Sequence, residues 1–66
     1  MASLNVFSER VRSLRLTRRL KQNNLAALLN VSITQISDIE RGRRSTSIEK
    51  LIILADYFDV SIDYLY

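Results

Sequence analysis

The chain has 66 residues with 10 Lys/Arg against 7 Asp/Glu, a single glycine, no proline, no cysteine and no histidine. A domain this small buries only about 60% of its unfolded surface, which leaves little room for a catalytic cleft. The missing cysteine and histidine remove disulfides, the common zinc sites and the usual neutral-pH general base.

The charge is divided along the chain. Residues 1–44 carry nine Lys/Arg against Glu9, Asp38 and Glu40, a net +6, whereas residues 45–66 carry Lys50 against Glu49, Asp56, Asp59 and Asp63, a net −3. Charge runs are often only solvated helix faces, so position along the elements has to decide what the basic half does. No apolar run approaches the ~20 residues of a membrane span, and the N-terminus lacks a charged region followed by an apolar stretch. The expectation is a soluble cytoplasmic protein, associated with the nucleoid, with one domain over residues 1–66.

Helical spacing dominates. Phe7, Val11, Leu14 and Arg18 lie at i, i+4, i+7 and i+11, predicting an amphipathic helix over 6–17 with Asn5 as its cap. Leu20 and Leu25 flank Lys21 at the spacing of a hydrophobic staple and predict a second helix over 22–29. Asn30, which tolerates the left-handed conformation, ends it. In the third segment, VSITQISDIERG, Val31 and Ile36 form another staple around Ser32, with Gln35 at the capping-box position. A helix over 33–41 follows, closed by Gly42, the only glycine in the chain. Ser47 caps a fourth helix over 48–58, and Ser61 a short fifth, with Val60 and Leu65 as its staple. The whole is an all-α, compact five-helix cluster.

Only Asn30, Val31 and Ser32 separate the second and third helices, which is helix-turn-helix spacing over 22–41. Ala26 suits a close crossing, with Leu25, Leu29, Val31, Ile36 and Ile39 filling around it. The inner face of the third helix is then fully used, and its outer face is free to enter a groove. Its N-terminus can direct unpaired N–H groups at phosphate, which makes Ser32 a candidate phosphate contact. In the fourth helix Ile48, Leu51, Ile52, Ala55 and Phe58 are expected to face inward. Ile53 and Tyr57 then lie outside, and with Tyr64 and Tyr66 they are candidates for a two-fold dimer surface.

The segments "RVRSLR", "LKQNNLAALLNVS", "ISDIERGRRSTSIEKL" and "LADYFDVSIDYL" carry the pattern Gln22, Leu25, Ala26, Leu29, Val31, Ile36, Ile39, Glu40, Gly42. From Arg10 to Tyr64 the chain resembles the lambda-repressor-like helix-turn-helix domains of the Cro/cI or Xre type. The resemblance implies a five-helix bundle, mainly found in phage, plasmid and chromosomal repressors that bind palindromic operator DNA as homodimers. No enzymatic activity, metal or cofactor is expected, because the remaining nucleophiles, Ser, Thr, Tyr and Lys, have no histidine base and the chain is too short for a pocket. The resemblance places Gln22 on a DNA phosphate with Lys21 beside it, and Ile33, Thr34, Ser37 and Asp38 against base edges. Arg41, Arg43 and Arg44 come near the backbone, and Arg15 and Glu40 match a partly buried ion pair. Three usual glycines are absent, in the "TRRL" turn and at Asn30 and Asp59; Asn and Asp adopt the required conformation readily.

Within that frame Gln35 and Asp38 have an internal alternative, whereas Ile33 and Thr34 have none. The methyl groups of Ile33 and Thr34 suit thymine. Gln35 either completes the capping box or reads adenine, with the cap favoured. Asp38 either accepts from cytosine or pairs with Arg41 three residues on, and the intrahelical pair is favoured. Arg10, Arg12, Arg18 and Arg19 are expected to shape the field without specific bonds. The competing function is a helical protein-interaction module, such as an antitoxin or adaptor. Thr34→Ala and Gln22→Ala separate the two, since they damage only DNA binding.

Overall fold

The computed structural model describes residues 4–65, and it is all-helical over them. The elements are α1 (Leu4–Thr17), α2 (Gln22–Leu29), α3 (Ile33–Glu40), α4 (Ile48–Phe58) and α5 (Ile62–Leu65). Helix α1 starts two residues before the expected Val6, so Asn5 lies within the helix and does not cap it. Leu4 precedes Phe7 by three, which extends the helical apolar spacing backward.

Three of the connections are built on one plan. Arg19, Asn30 and Asp59 are left-handed, with φ of 58°, 56° and 55°. Each is followed by an apolar residue, Leu20, Val31 or Val60, that packs on the core. The N–H of that apolar residue closes a six-residue ring to the helix behind it: Leu20 to the Arg15 carbonyl, Val31 to Ala26 and Val60 to Ala55, each at 3.0 Å. This is the Schellman arrangement, which satisfies the orphan carbonyls of a helix end. The third residue, Lys21, Ser32 or Ser61, then starts the next helix. Ser32 Oγ accepts from Gln35 N–H at 3.1 Å and Ser61 Oγ from Tyr64 N–H at 3.0 Å. Lys21 has no side-chain acceptor, and Asn24 Oδ1 accepts from its N–H at 2.9 Å instead. A single partly buried apolar residue thus anchors the end of one helix and the beginning of the next.

Helix α3 ends at Glu40, one residue before the expected Arg41, and also by a Schellman arrangement. Gly42, at φ 75°, donates to the Ile39 carbonyl at 3.1 Å, and Arg43 N–H donates to Asp38 at 2.9 Å. Glycine meets this left-handed position without the Cβ cost that Arg19 carries.

The core joins Phe7 and Val11 of α1, Leu25, Ala26 and Leu29 of α2, Ile36 and Ile39 of α3, Leu51, Leu54 and Phe58 of α4, and Leu65 of α5. Burying each large side chain contributes about 1.5–3 kcal/mol. Helix α3 packs on both α1 and α2, and α5 bridges α1 and α4. One expectation for α4 fails: Ile48 and Ile52 are 61% and 46% exposed, and Leu54, left out of the expected stripe, is fully buried. The packing of α4 against α2 and α5 turns its Leu51–Leu54–Phe58 edge inward.

Two arginines of α1 hold the far end of the molecule. Arg10 Nη1 donates to the Tyr64 carbonyl, and its guanidinium lies 4.7 Å from the Tyr64 ring centre. Arg18 Nη2 donates to the Phe58 carbonyl at 3.4 Å and lies 5.6 Å from the Phe58 ring and 6.0 Å from that of Tyr57. These side chains therefore make specific bonds, contrary to their expected role as diffuse charge. Cation–π contacts at such sites contribute about 0.5–1 kcal/mol each.

Candidate nucleic-acid interface

Helix α3 is held from behind and open in front. Ile36 and Ile39 are fully buried, while Ile33, 52% exposed, and Thr34 project from its first turn. Gln35, Ser37 and Asp38 are half-buried along the same helix. Ser32 is exposed at the cap, and its hydroxyl is occupied by the Gln35 N–H. The reciprocal half of the capping box is not formed, because the Gln35 amide makes no bond to the Ser32 N–H. It faces instead a hollow of about 430 Å³ shared with Arg44, Ser45, Thr46, Ser47 and Lys50. The Gln35 amide is thus free of the internal duty expected for it.

Asp38 likewise lacks its expected partner, since no ion pair joins it to Arg41. Arg41 lines instead a cleft with Arg12, Arg15, Gln22, Ser37 and Glu40. Arg43 and Arg44 are exposed just beyond the helix, and Lys21 is exposed at the start of α2.

Beneath this surface lies the one salt bridge among the described residues. Arg15 Nε donates to Glu40 Oε2 at 2.6 Å and Arg15 Nη2 to Glu40 Oε1 at 3.0 Å, a bidentate pair with side chains 12% and 5% exposed. Arg15 Nη1 donates to the Leu20 carbonyl at 2.9 Å. The pair ties α1 to the last residue of α3 and to the turn entering α2, fixing the angle at which α3 is presented. Gln22 Nε2 joins the network, donating to Glu40 Oε1 at 3.3 Å.

Arg12 is the residue that sequence reasoning undervalued. It shares the cleft with Arg41 and Gln22, and its spacing of three before Arg15 on one helix was the available signal. With Arg15 and Glu40 cancelling, the residues around α3 leave Arg12, Lys21, Arg41, Arg43 and Arg44 against Asp38. Such a surface is complementary to an anionic polymer.

The dimer candidates Ile53, Tyr57 and Tyr64 are exposed on α4 and α5, whereas Tyr66 lies outside the described residues. Ile48 and Ile52 add to the exposed apolar area of α4. Among the described residues no cluster of carboxylates is placed to hold a metal, and no helix is long and apolar enough to cross a membrane.

A family model described as helix-turn-helix matches residues 11–65, and the chain belongs to this family, in its Cro/cI-type branch. It is 37% identical over 54 residues to the transcriptional regulator DdrOP3 of Deinococcus deserti, covering 82% of this chain and 42% of that protein. It is 39% identical over 59 residues to the transcriptional activator BcrR of Enterococcus faecalis, covering 89% of this chain and 29% of that protein. The P22 c2 repressor, solved in complex with a synthetic operator, superposes with a TM-score of 0.82 at 32% identity over 89% of each chain. The chain spans 29% to 54% of the length of the curated relatives it matches.

Proposed function

We propose that the chain is the DNA-binding domain of a transcriptional regulator, acting in the cytoplasm as a repressor, which places α3 in the major groove of a palindromic operator. The observation that carries this is the presentation of α3. Its inner face is buried, its start is fixed by the Asn30-Val31-Ser32 connector, its first turn is exposed, and exposed cations stand at the start of α2, Lys21, and just beyond the end of α3, Arg41, Arg43 and Arg44. A recognition helix needs this combination of rigid placement, free outer side chains and flanking cations. The operator complex of the P22 c2 repressor, on a fold this similar, supports it.

In this assignment Ile33, Thr34, Gln35, Ser37 and Asp38 face base edges. Lys21, Gln22, Ser32, Arg41, Arg43 and Arg44 face the backbone. The exposed α4–α5 surface, with Ile53, Tyr57 and Tyr64, joins two copies about a two-fold axis, so that the recognition helices stand about 34 Å apart, one turn of DNA.

Selection of bound duplexes from random DNA tests the assignment. The expected outcome is a palindrome with half-sites one turn apart, and a log–log salt slope of roughly −4 or steeper. Failure to enrich any sequence, or a flat salt response, refutes it. For the two-fold surface, wild type should sediment on operator as a dimer, and Ile53→Lys should lower the bound mass; an unchanged mass rejects that surface. A reporter under the selected operator gives the sign of control, falling expression being the outcome expected of a repressor.

A further inference from the structure

The cleft between α1, α2 and α3 holds a polar network with a consequence beyond fold stability. All three guanidinium nitrogens of Arg15 are engaged inside the protein, two on Glu40 and one on the Leu20 carbonyl. Arg15 is therefore committed internally, and it neutralises Glu40, so this acid does not repel an anion entering the cleft. Glu40 Oε1 accepts a second bond, from Gln22 Nε2 at 3.3 Å.

That bond decides which way the amide points. A carboxamide has a donor end and an acceptor end, while an ionised carboxylate only accepts. Gln22 must turn its NH2 group to Glu40. One Nε2 proton is used there and the second belongs to the same immobilised nitrogen, at the wall of a cleft of about 280 Å³ that Arg12, Ser37 and Arg41 also line. A glutamine without this partner rotates freely and presents its carbonyl oxygen to an anion as readily as its N–H, and a carbonyl facing phosphate is repelled.

We infer that Glu40 is a positioning residue for DNA-backbone binding. It orients the Gln22 amide so that the second Nε2 proton meets a single backbone phosphate seated between Arg12 and Arg41. The inference rests on the DNA-binding assignment above and deepens it. It adds Arg12 to the phosphate contacts and gives a charged, buried residue a role at a site it does not itself touch.

The test uses the 66-residue chain and a duplex of arbitrary sequence at low salt, because phosphate contacts carry no sequence information. The side-chain NH2 resonances of Gln22, assigned by their loss in Gln22→Ala, are followed as duplex is added. The inference expects two well-separated proton shifts in the free protein and movement mainly of the proton not bonded to Glu40. In binding assays Gln22→Ala is expected to weaken affinity roughly tenfold in the wild-type background, the scale of one bond to a charged group. In the Glu40→Gln background it should cost less than about threefold, because a carboxamide both donates and accepts and no longer fixes which end of the Gln22 amide faces it. If Glu40→Gln does not fold, the wild-type resonances decide alone. Equal losses in the two backgrounds overturn the inference, as do Gln22 NH2 signals that stay still while backbone amides of α3 shift. A duplex that shifts no resonance and binds nowhere overturns the DNA-binding assignment as well, so the two failures are distinguishable.

Discussion

Glu40→Ala tests the buried ion pair most severely. The substitution removes the carboxylate that receives two bonds from Arg15 at 2.6 and 3.0 Å and leaves the guanidinium, only 12% exposed, with the Leu20 carbonyl as its sole partner. Stranding one member of a buried pair costs about 3–5 kcal/mol. The retained Leu20 bond and the slight exposure of Arg15 place the expected loss near the lower figure, about 3 kcal/mol. A domain of this length has a total stability of roughly 3–10 kcal/mol. The variant is therefore expected to lose a large share of its stability and to melt about 12–24 °C lower, at about 4–8 °C per kcal/mol. Urea unfolding with an unchanged slope measures the loss directly, and for an m-value of about 1 kcal/mol/M the midpoint falls by about 3 M. The double variant Arg15→Met/Glu40→Leu, which leaves no stranded charge, is expected to recover most of it. A Glu40→Ala loss below about 1 kcal/mol, the range of exposed pairs, refutes the reasoning.

The remaining predictions concern single positions. Arg19→Gly should raise stability by about 0.5–1 kcal/mol, because it relieves a left-handed residue with a Cβ, and thermal melting checks this; a loss means that the Arg19 side chain has a contact of its own. Leu54→Ala should cost about 3 kcal/mol and Ile52→Ala less than about 1, the reverse of what the α4 sequence pattern suggests, as chemical denaturation would show. Thr46→Val should gain about 1 kcal/mol in the same assay, because Thr46 Oγ1 is buried without a hydrogen-bond partner. Arg43→Ala should weaken DNA binding across all sequences and make the salt slope shallower by about 1 unit, read by titration at several salt concentrations.

The helices were legible because their boundaries are written locally. The apolar residue before each cap and the residue tolerant of left-handed backbone lie within a few positions of the end they fix, as in Asn30-Val31-Ser32 and Asp59-Val60-Ser61. Where several apolar residues run together the signal fails. In Leu51-Ile52-Ile53-Leu54-Ala55 helical spacing permits more than one inward stripe, and packing against α2 and α5 selects Leu54 over Ile52. Long-range polar contacts are equally silent. Arg10 reaches the carbonyl of Tyr64 and Arg18 that of Phe58, and nothing near either arginine in the sequence marks the partner. The Arg15–Glu40 pair came into view through the family resemblance, and its residues are 25 positions apart. Two local expectations at the interface, the Gln35 half of the capping box and the Asp38–Arg41 pair, gave way because both side chains have other surroundings. Arg41 turns into the cleft beside Arg12, and Gln35 faces the hollow beside Arg44. Base-facing candidates are legible as positions on the outside of α3, while the sequence they select belongs to the DNA.

Titration of the isotopically labelled chain with a selected operator duplex is the most direct test of α3 as the DNA-reading element. Backbone amides of residues 32–38, together with the Gln22 side chain and the guanidinium signals of Arg41, Arg43 and Arg44, should move together and saturate with one dissociation constant. Shifts confined to α4 and α5, with the first turn of α3 unmoved, would contradict it.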